Sequence, residues 1–401
     1  MNSSKTILER LRPHVRRDRL VETALALVGV PSRTGEAGEV SDTLARILRA
    51  DGFTVERPTG GYEAAPAVAV RFDSGTPGRI MQFNGHLDTV HLPFVAPSVD
   101  GDLLRGSGAS DMKAGIAAAV EAVRALRDSG ALTAGSVLLT AHDLHEAPWG
   151  DGRQLDGLIR AGYVGDAVLL PEPLHDPLPV VGRGSAVWKA AIRRAGPPVH
   201  EVMRPLDEPS VISAAGRLIA ALDGLNDTLS AESPRPASGA PDPGKASTFI
   251  GQVHAGEIFN QYPQVCLLEG TRRWLTGTDR HEVERDFRAL LGRVADKSRT
   301  QIDCDWQFIR DAFYLDLDDP FVAVFQENYS ALSGRPLAIG AKPFVDDGNC
   351  FCAVANVPAI THGPKAGGQH TIDEWASIDD LMRIALLYAA TAATYCALPK
   401  G

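Results

Sequence analysis

Between residues 67 and 170 short apolar runs alternate with a long helical pattern, and no other feature of the sequence constrains the fold as tightly. Residues 67–72, 80–84, 136–141 and 167–170 have the length and composition of strands. Residues 113–126, dense in Ala, Val and Ile, are predicted to form a helix, as are 18–30 and 40–52, the last closed by Gly52. Strands alternating with helices specify an α/β sheet covered on both faces. From residue 188 the order changes to strand (188–193), helix (209–222), strands (248–254 and 265–274), helix (281–294) and strand (301–309). That β-α-β-β-α-β order is the pattern of a ferredoxin-like α+β unit. Residues 230–245, rich in Pro, Gly, Ser and Ala, read as a loop inside it. The α/β pattern then returns, so the second unit is inserted into the first. Residues 1–184 and 312–401 are expected to form one domain and 185–311 the other.

A chain of 401 residues is long enough for two domains, and at 44% hydrophobic it can build a core in each without disulfides. A net charge of -10 argues against a polyanionic partner, so nucleic acid is not expected. The densest basic stretch holds Arg10, Arg12, His14, Arg16, Arg17 and Arg19; interrupted by Pro13 and Asp18, it reads as a solvated segment. Five cysteines, Cys266, Cys304, Cys350, Cys352 and Cys396, are an odd number without a C-x-x-C pair, which points to a reducing, cytoplasmic setting. Residues 1–11 lack the apolar stretch of a secretory signal. Residues 381–398 are apolar but contain Arg383, and are expected to be a packed terminal helix rather than a membrane span.

Acidic and histidine side chains gather where the expected strands end, the place where open α/β sheets put their sites. Gly85-His86-Leu87-Asp88 follows one strand; in extended backbone His86 and Asp88 share a side, so the carboxylate can orient the imidazole or a neighbouring metal ligand. Asp111 closes a Gly/Ser-rich loop before the long helix, where a plain N-cap is the simplest role. His142-Asp143-Leu144-His145-Glu146 follows another strand, Glu172 a third, and His370 sits in a loop before the last helix. Each segment alone could be an ordinary turn or loop. A cluster of them is costly as core unless it binds a partner or a metal.

Taken in order, these segments resemble the dinuclear zinc hydrolases that include aminoacylase, glutamate-releasing carboxypeptidase and succinyl-diaminopimelate desuccinylase. The resemblance runs over most of the chain and covers all five site segments and the insertion. It implies a phosphorylase/hydrolase-like zinc-peptidase domain with a mixed sheet and an inserted lid that pairs two chains into a homodimer. It implies that His86 and Glu172 bind one divalent ion, that Glu146 and His370 bind a second, and that Asp111 bridges them. Zinc suits this ligand set, with cobalt or manganese also compatible. Asp88 would orient His86, and a water held between the ions would attack an amide carbonyl. In the insertion, the resemblance implies that His200 reaches a partner's site and donates a hydrogen bond to the tetrahedral intermediate. Asn260 and Arg273 would bind the carboxylate of a small-molecule or short-peptide substrate, while Arg272, on the opposite side of the strand, would be the solvated one of the pair.

The sequence departs from the family where two consecutive glutamates are usual: here the pair is His145-Glu146. In one reading, which we favour, His145 is the general base and Glu146 the ligand. In the other, Glu146 is the base and His142, Asp143 or His145 supplies a ligand. The usual Gly-Pro-Gly is altered to Gly363-Pro364-Lys365. These departures leave room for a relative that binds an amino-acid derivative or peptide without cutting it. Ser107 and Ser185 lack the G-x-S-x-G setting of a serine hydrolase. The Trp149 and Trp375 rings could shape a pocket or serve packing.

Overall fold

The computed structural model describes residues 2–148, 150–232 and 241–400. The chain divides into two compact units, one of Met1–Val180, Tyr314–Ala341 and Asp346–Gly401, the other of Val181–Phe313 with Lys342–Val345. The short stretch Lys342–Val345, placed by its sequence position in the catalytic part, thus groups with the insertion.

The first unit is built on a six-stranded mixed sheet in the order Val55–Glu56, Val68–Asp73, Ser136–His142, Ile80–His86, Ala167–Leu170, Ala359–Thr361. The last four strands run parallel, and Val68–Asp73 pairs antiparallel with Ser136–His142. Every residue of Ser136–His142 is buried, as expected of a strand covered on both faces. The helix Lys113–Ser129 packs on the strands Ile80–His86 and Ser136–His142 and against Ile378–Cys396. It stops at Gly130, whose left-handed conformation suits glycine (φ 60°). Ile378–Cys396 starts on the Ser377 side chain, which accepts from Asp380 N, and its apolar residues pack inward. Among the described residues no helix is long and apolar enough to cross a membrane.

Arg10, Arg12, Arg16 and Arg17 of the basic N-terminal stretch are exposed, as expected, and Arg19 is half-buried. The Arg10 guanidinium donates to the carbonyls of Ser129 and Gly130 at the end of the long helix. Arg19 forms a two-pronged pair with the buried Glu121 and a further bridge to Asp128. Arg10 and Arg19 thus tie helices together, because helix ends and a buried carboxylate both need donors.

In the inserted unit four antiparallel strands lie in the order Ser247–Ala255, Val265–Trp274, Gly184–Arg193, Gln301–Arg310. The helices Val211–Glu232 and Arg280–Ser298 bury Leu218, Leu222, Phe287 and Leu291 against Trp188, Ile192 and Leu268. The helix expected at 209–222 therefore runs ten residues further, absorbing Ser230–Glu232 from the expected loop. Residues 233–240 of that loop lie outside the described residues, as does Trp149. Trp375 is half-buried in a short strand beside Leu103–Arg105.

Candidate metal centre

Three neighbouring parallel strands deliver the site. Ile80–His86 ends on His86, Ser136–His142 ends opposite it on His142, and Ala167–Leu170 runs straight into Pro171 and Glu172. Parallel strands place their carboxyl ends along one edge, so residues far apart in sequence meet there. Asp111, just before the helix Lys113–Ser129, and His370, in a loop ahead of the last helix, complete the group.

Asp111 stands in the middle. Its Oδ1 is 3.1 Å from His86 Nε2, and its Oδ2 is 3.6 Å from His370 Nε2. On the first side Glu172 Oε1 lies 3.6 Å from His86 Nε2; on the second Glu146 Oε2 lies 3.2 Å from His370 Nε2. The ligand atoms of His86, Asp111 and Glu146 fall within 4.8 Å of one another, as do those of His86, His145 and Glu172. His370 is more than half exposed, whereas His86 and Glu172 are buried. The backbone is held in unusual conformations next to the cluster, with left-handed φ angles at His370 (58°) and Leu144 (66°). Non-glycine residues accept that conformation at a cost, and it is concentrated at functional sites.

The electrostatics call for a cation. Burial, reinforced by the Asp111 charge, pushes the Glu172 carboxyl up to about 8 and the Glu374 carboxyl up to about 7. Burial opposes ionisation of Asp111 as well, but the His370 and His86 rings hold it well below the usual carboxylate range. Hydrogen bonds to Asp111 and Glu146 push His370 up to about 10. The carboxylates thus draw positive charge towards the cluster, a demand that a metal ion would meet. Glu172 Oε1 is buried and has no hydrogen-bond partner, an orphaned acceptor that a metal ion would satisfy. Two imidazoles and two glutamates around a shared aspartate are a suitable donor set for a pair of zinc-like ions.

Asp88 contacts both the His86 ring and the loop after the neighbouring strand. His86 Nδ1 lies 3.0 Å from the Asp88 carbonyl oxygen and 3.5 Å from Oδ1, so the backbone makes the closer contact to the ring. The other carboxylate oxygen accepts from His145 N and Glu146 N at 3.1 and 2.8 Å. Asp88 therefore fixes the loop that carries the His145-Glu146 pair as well as the His86 ring. Asp143 accepts from the backbone N–H groups of Gly35, Ala37 and Leu144, and His142 is engaged on both ring nitrogens by Asp143 O and Asp347. Neither is placed as a ligand. His145 does reach the cluster: its ring stacks on His86 with centroids 3.9 Å apart, and its Nε2 is 3.6 Å from Glu172 Oε1.

Two residues escaped the sequence reading. Asp347 is fully buried and receives His145 Nδ1 at 2.8 Å, His142 Nε2 at 2.8 Å and Asn84 Nδ2 at 2.9 Å. Glu374 accepts from the N–H groups of Ser110 and Asp111 and so holds the bridging aspartate's backbone. The available signals were the doubled acid Asp346-Asp347 before Gly348 and the Asp373-Glu374 pair after His370.

In the inserted unit, the short strand Val199–His200 pairs with Gln261–Tyr262, which brings His200 Nε2 to 3.0 Å from the Asn260 amide. Arg272, expected to be the solvated one of the pair, is instead covered. Arg272 is 6% exposed and donates to the carbonyls of Ser247 and Arg273, while Arg273 is half-buried on the other face of the sheet. Strand alternation puts the two on opposite faces, but the helices cover the face of Arg272.

A parallel sheet that gathers histidines and carboxylates into one buried cluster defines the class of metal-dependent hydrolases. The signature of Peptidase family M20/M25/M40 spans residues 82–394, and the chain belongs to that family, whose members are dinuclear metallohydrolases of peptide and amide bonds. It is 27% identical over 394 residues to the succinyl-diaminopimelate desuccinylase of Methylorubrum populi, covering 93% of this chain and 97% of that one. The fold is shared with an M20 family metallo-carboxypeptidase from Sulfolobus solfataricus (TM-score 0.78, 15% identity, 95% of this chain and 100% of that chain). It is shared also with the YXEP protein of Bacillus subtilis, a dinuclear metal binding peptidase (TM-score 0.66, 17% identity, 95% and 98%).

Proposed function

We propose that the chain hydrolyses an amide bond next to a free carboxylate, in an N-acyl amino acid or a short peptide. The observation that carries this reading is the placement of Asp111, one oxygen 3.1 Å from His86 Nε2 and the other 3.6 Å from His370 Nε2, with Glu172 beside the first ring and Glu146 beside the second. We assign His86, Glu172 and Asp111 to one divalent ion and Asp111, Glu146 and His370 to the other, zinc being favoured over cobalt or manganese. Such ions polarise a scissile carbonyl and lower the pKa of water. His145 Nε2 takes a proton from the attacking water and passes it to the leaving nitrogen as the C–N bond breaks. Asp88 keeps the His145-Glu146 backbone and the His86 ring in place. Arg273 supplies a planar fork for the substrate's carboxylate, with Asn260 beside it in the same role, and His200 donates to the developing oxyanion. The 27% identity to a desuccinylase over nearly its whole length supports a dicarboxylic or amino-acid-derived substrate. Exposed Phe249 and Val253 on the edge strand Ser247–Ala255 support a homodimer formed through the inserted unit. Buried thiols at Cys266 and Cys396 suit a cytoplasmic setting.

Metal content and turnover on a panel of N-acyl amino acids and dipeptides test the assignment. His145→Ala is expected to keep its metal and lose about a hundred- to ten-thousandfold in kcat; Glu146→Ala is expected to lose metal. Metal retained without turnover in the wild type, across the panel, would favour a binding protein that does not cut.

A further inference from the structure

His145 stands where the family usually has a glutamate, and an imidazole brings a requirement that a carboxylate does not: the correct nitrogen must carry the proton. A neutral imidazole has one N–H and one lone pair, and its neighbours decide which is which. Here Nδ1 lies 2.8 Å from the carboxyl oxygen Asp347 Oδ1. The carboxylate is itself immobilised, since His142 Nε2 and Asn84 Nδ2 both bind Oδ2.

The far nitrogen, Nε2, points towards Glu172 Oε1 alongside His86 Nε2, both at 3.6 Å. The two rings are nearly parallel, 9° apart, with centroids 3.9 Å apart. Two imidazoles binding one tetrahedral ion radiate from it, which would set their centroids roughly 5 Å apart for Zn–N bonds of about 2.0–2.1 Å. Stacked rings instead present their lone pairs side by side. His86 can face the ion while His145 faces what is bound next to it.

We propose that Asp347 is a positioning residue that holds His145 as the Nδ1–H tautomer, with the Nε2 lone pair aimed into the carboxylate cluster. The proposal rests on the reading of His145 as proton acceptor, and goes beyond it by naming the group that makes the imidazole competent. An aspartate in this relation to a catalytic histidine has a diagnostic property. Its asparagine variant keeps the shape but can donate to the ring, and so favours the wrong tautomer.

The test compares Asp347→Asn with Asp347→Ala in the metal-loaded, full-length protein. Asparagine is expected to be at least as damaging as alanine, lowering kcat by about a thousandfold with KM and metal content little changed. A merely structural role gives the reverse order, with asparagine near wild type and alanine impaired, and would overturn the proposal. Loss of bound metal in both variants would overturn it too. A second measurement does not depend on turnover or on either variant folding. In the zinc-loaded wild type labelled with nitrogen-15 histidine, His145 should show a protonated Nδ1 and a bare Nε2; an Nε2–H signal would refute the assignment. If His145→Ala remains active while that tautomer is observed, the positioning by Asp347 stands and the proton-acceptor reading fails.

Discussion

Replacing Asp111 by asparagine removes one negative charge from a buried group that already holds Glu172, Glu146 and Glu374. Without metal, Asp111 is held ionised by the His86 and His370 rings, so the change loses stabilising contacts to both. With metal, it removes the shared ligand. Asp111→Asn is therefore expected to melt below the wild-type temperature in chelator. It should lose the rise that added zinc gives the wild type, a rise set by RT ln(1 + [L]/Kd). Paired thermal scans with chelator and with zinc measure both halves; an unchanged zinc response would remove Asp111 from the site. At this scale the sequence was most legible where a residue sits at the end of a recognisable strand, as His86, Glu146 and Glu172 do. Asp347 was not legible, because it lies 202 positions from His145 and no periodicity links them. Asp88 was legible as a positioning group, but not the particular atoms it holds, since backbone contacts leave no trace in residue types.

The position of Glu172 is set by elements packing at short range. A Cβ on Gly115, in the first turn of the helix Lys113–Ser129, would meet the Pro171 carbonyl oxygen at 2.4 Å. A Cβ on Gly363 would meet the Glu172 carbonyl oxygen at 2.0 Å. The loop carrying Glu172 is thus pinched between a helix and the strand-following segment after Ala359–Thr361. Gly115→Ala must push Pro171 away, at a cost of about 1–3 kcal/mol. It is expected to weaken metal binding at least tenfold although it touches no ligand, as metal titration would show. Unaltered affinity would mean that the loop can yield without moving Glu172. Elements themselves were readable from periodicity, with their ends extended by tertiary packing, as in Val211–Glu232. The face on which an element is covered was harder to read: Arg272 and Arg273 alternate correctly, but only the presence of Val211–Glu232 and Arg280–Ser298 decides which one is buried.

Considered as a whole, the chain interrupts one α/β unit with an antiparallel α+β unit, and that plan followed from the change in strand and helix order alone. The inserted sheet leaves Ser247–Ala255 as an edge with Phe249 and Val253 exposed, a surface that invites pairing with a second copy. A dimer is expected by sedimentation, and Phe249→Lys with Val253→Lys is expected to shift it to monomer. A monomeric wild type at micromolar concentration would exclude this face as a stable interface. The central claim concerns the metal cluster, and anomalous scattering at the zinc absorption edge from zinc-loaded crystals tests it most directly. Two peaks are expected, one between His86 and Glu172 and one between Glu146 and His370, with Asp111 separating them. A single peak, or one centred on the His145 ring nitrogen, would contradict the arrangement.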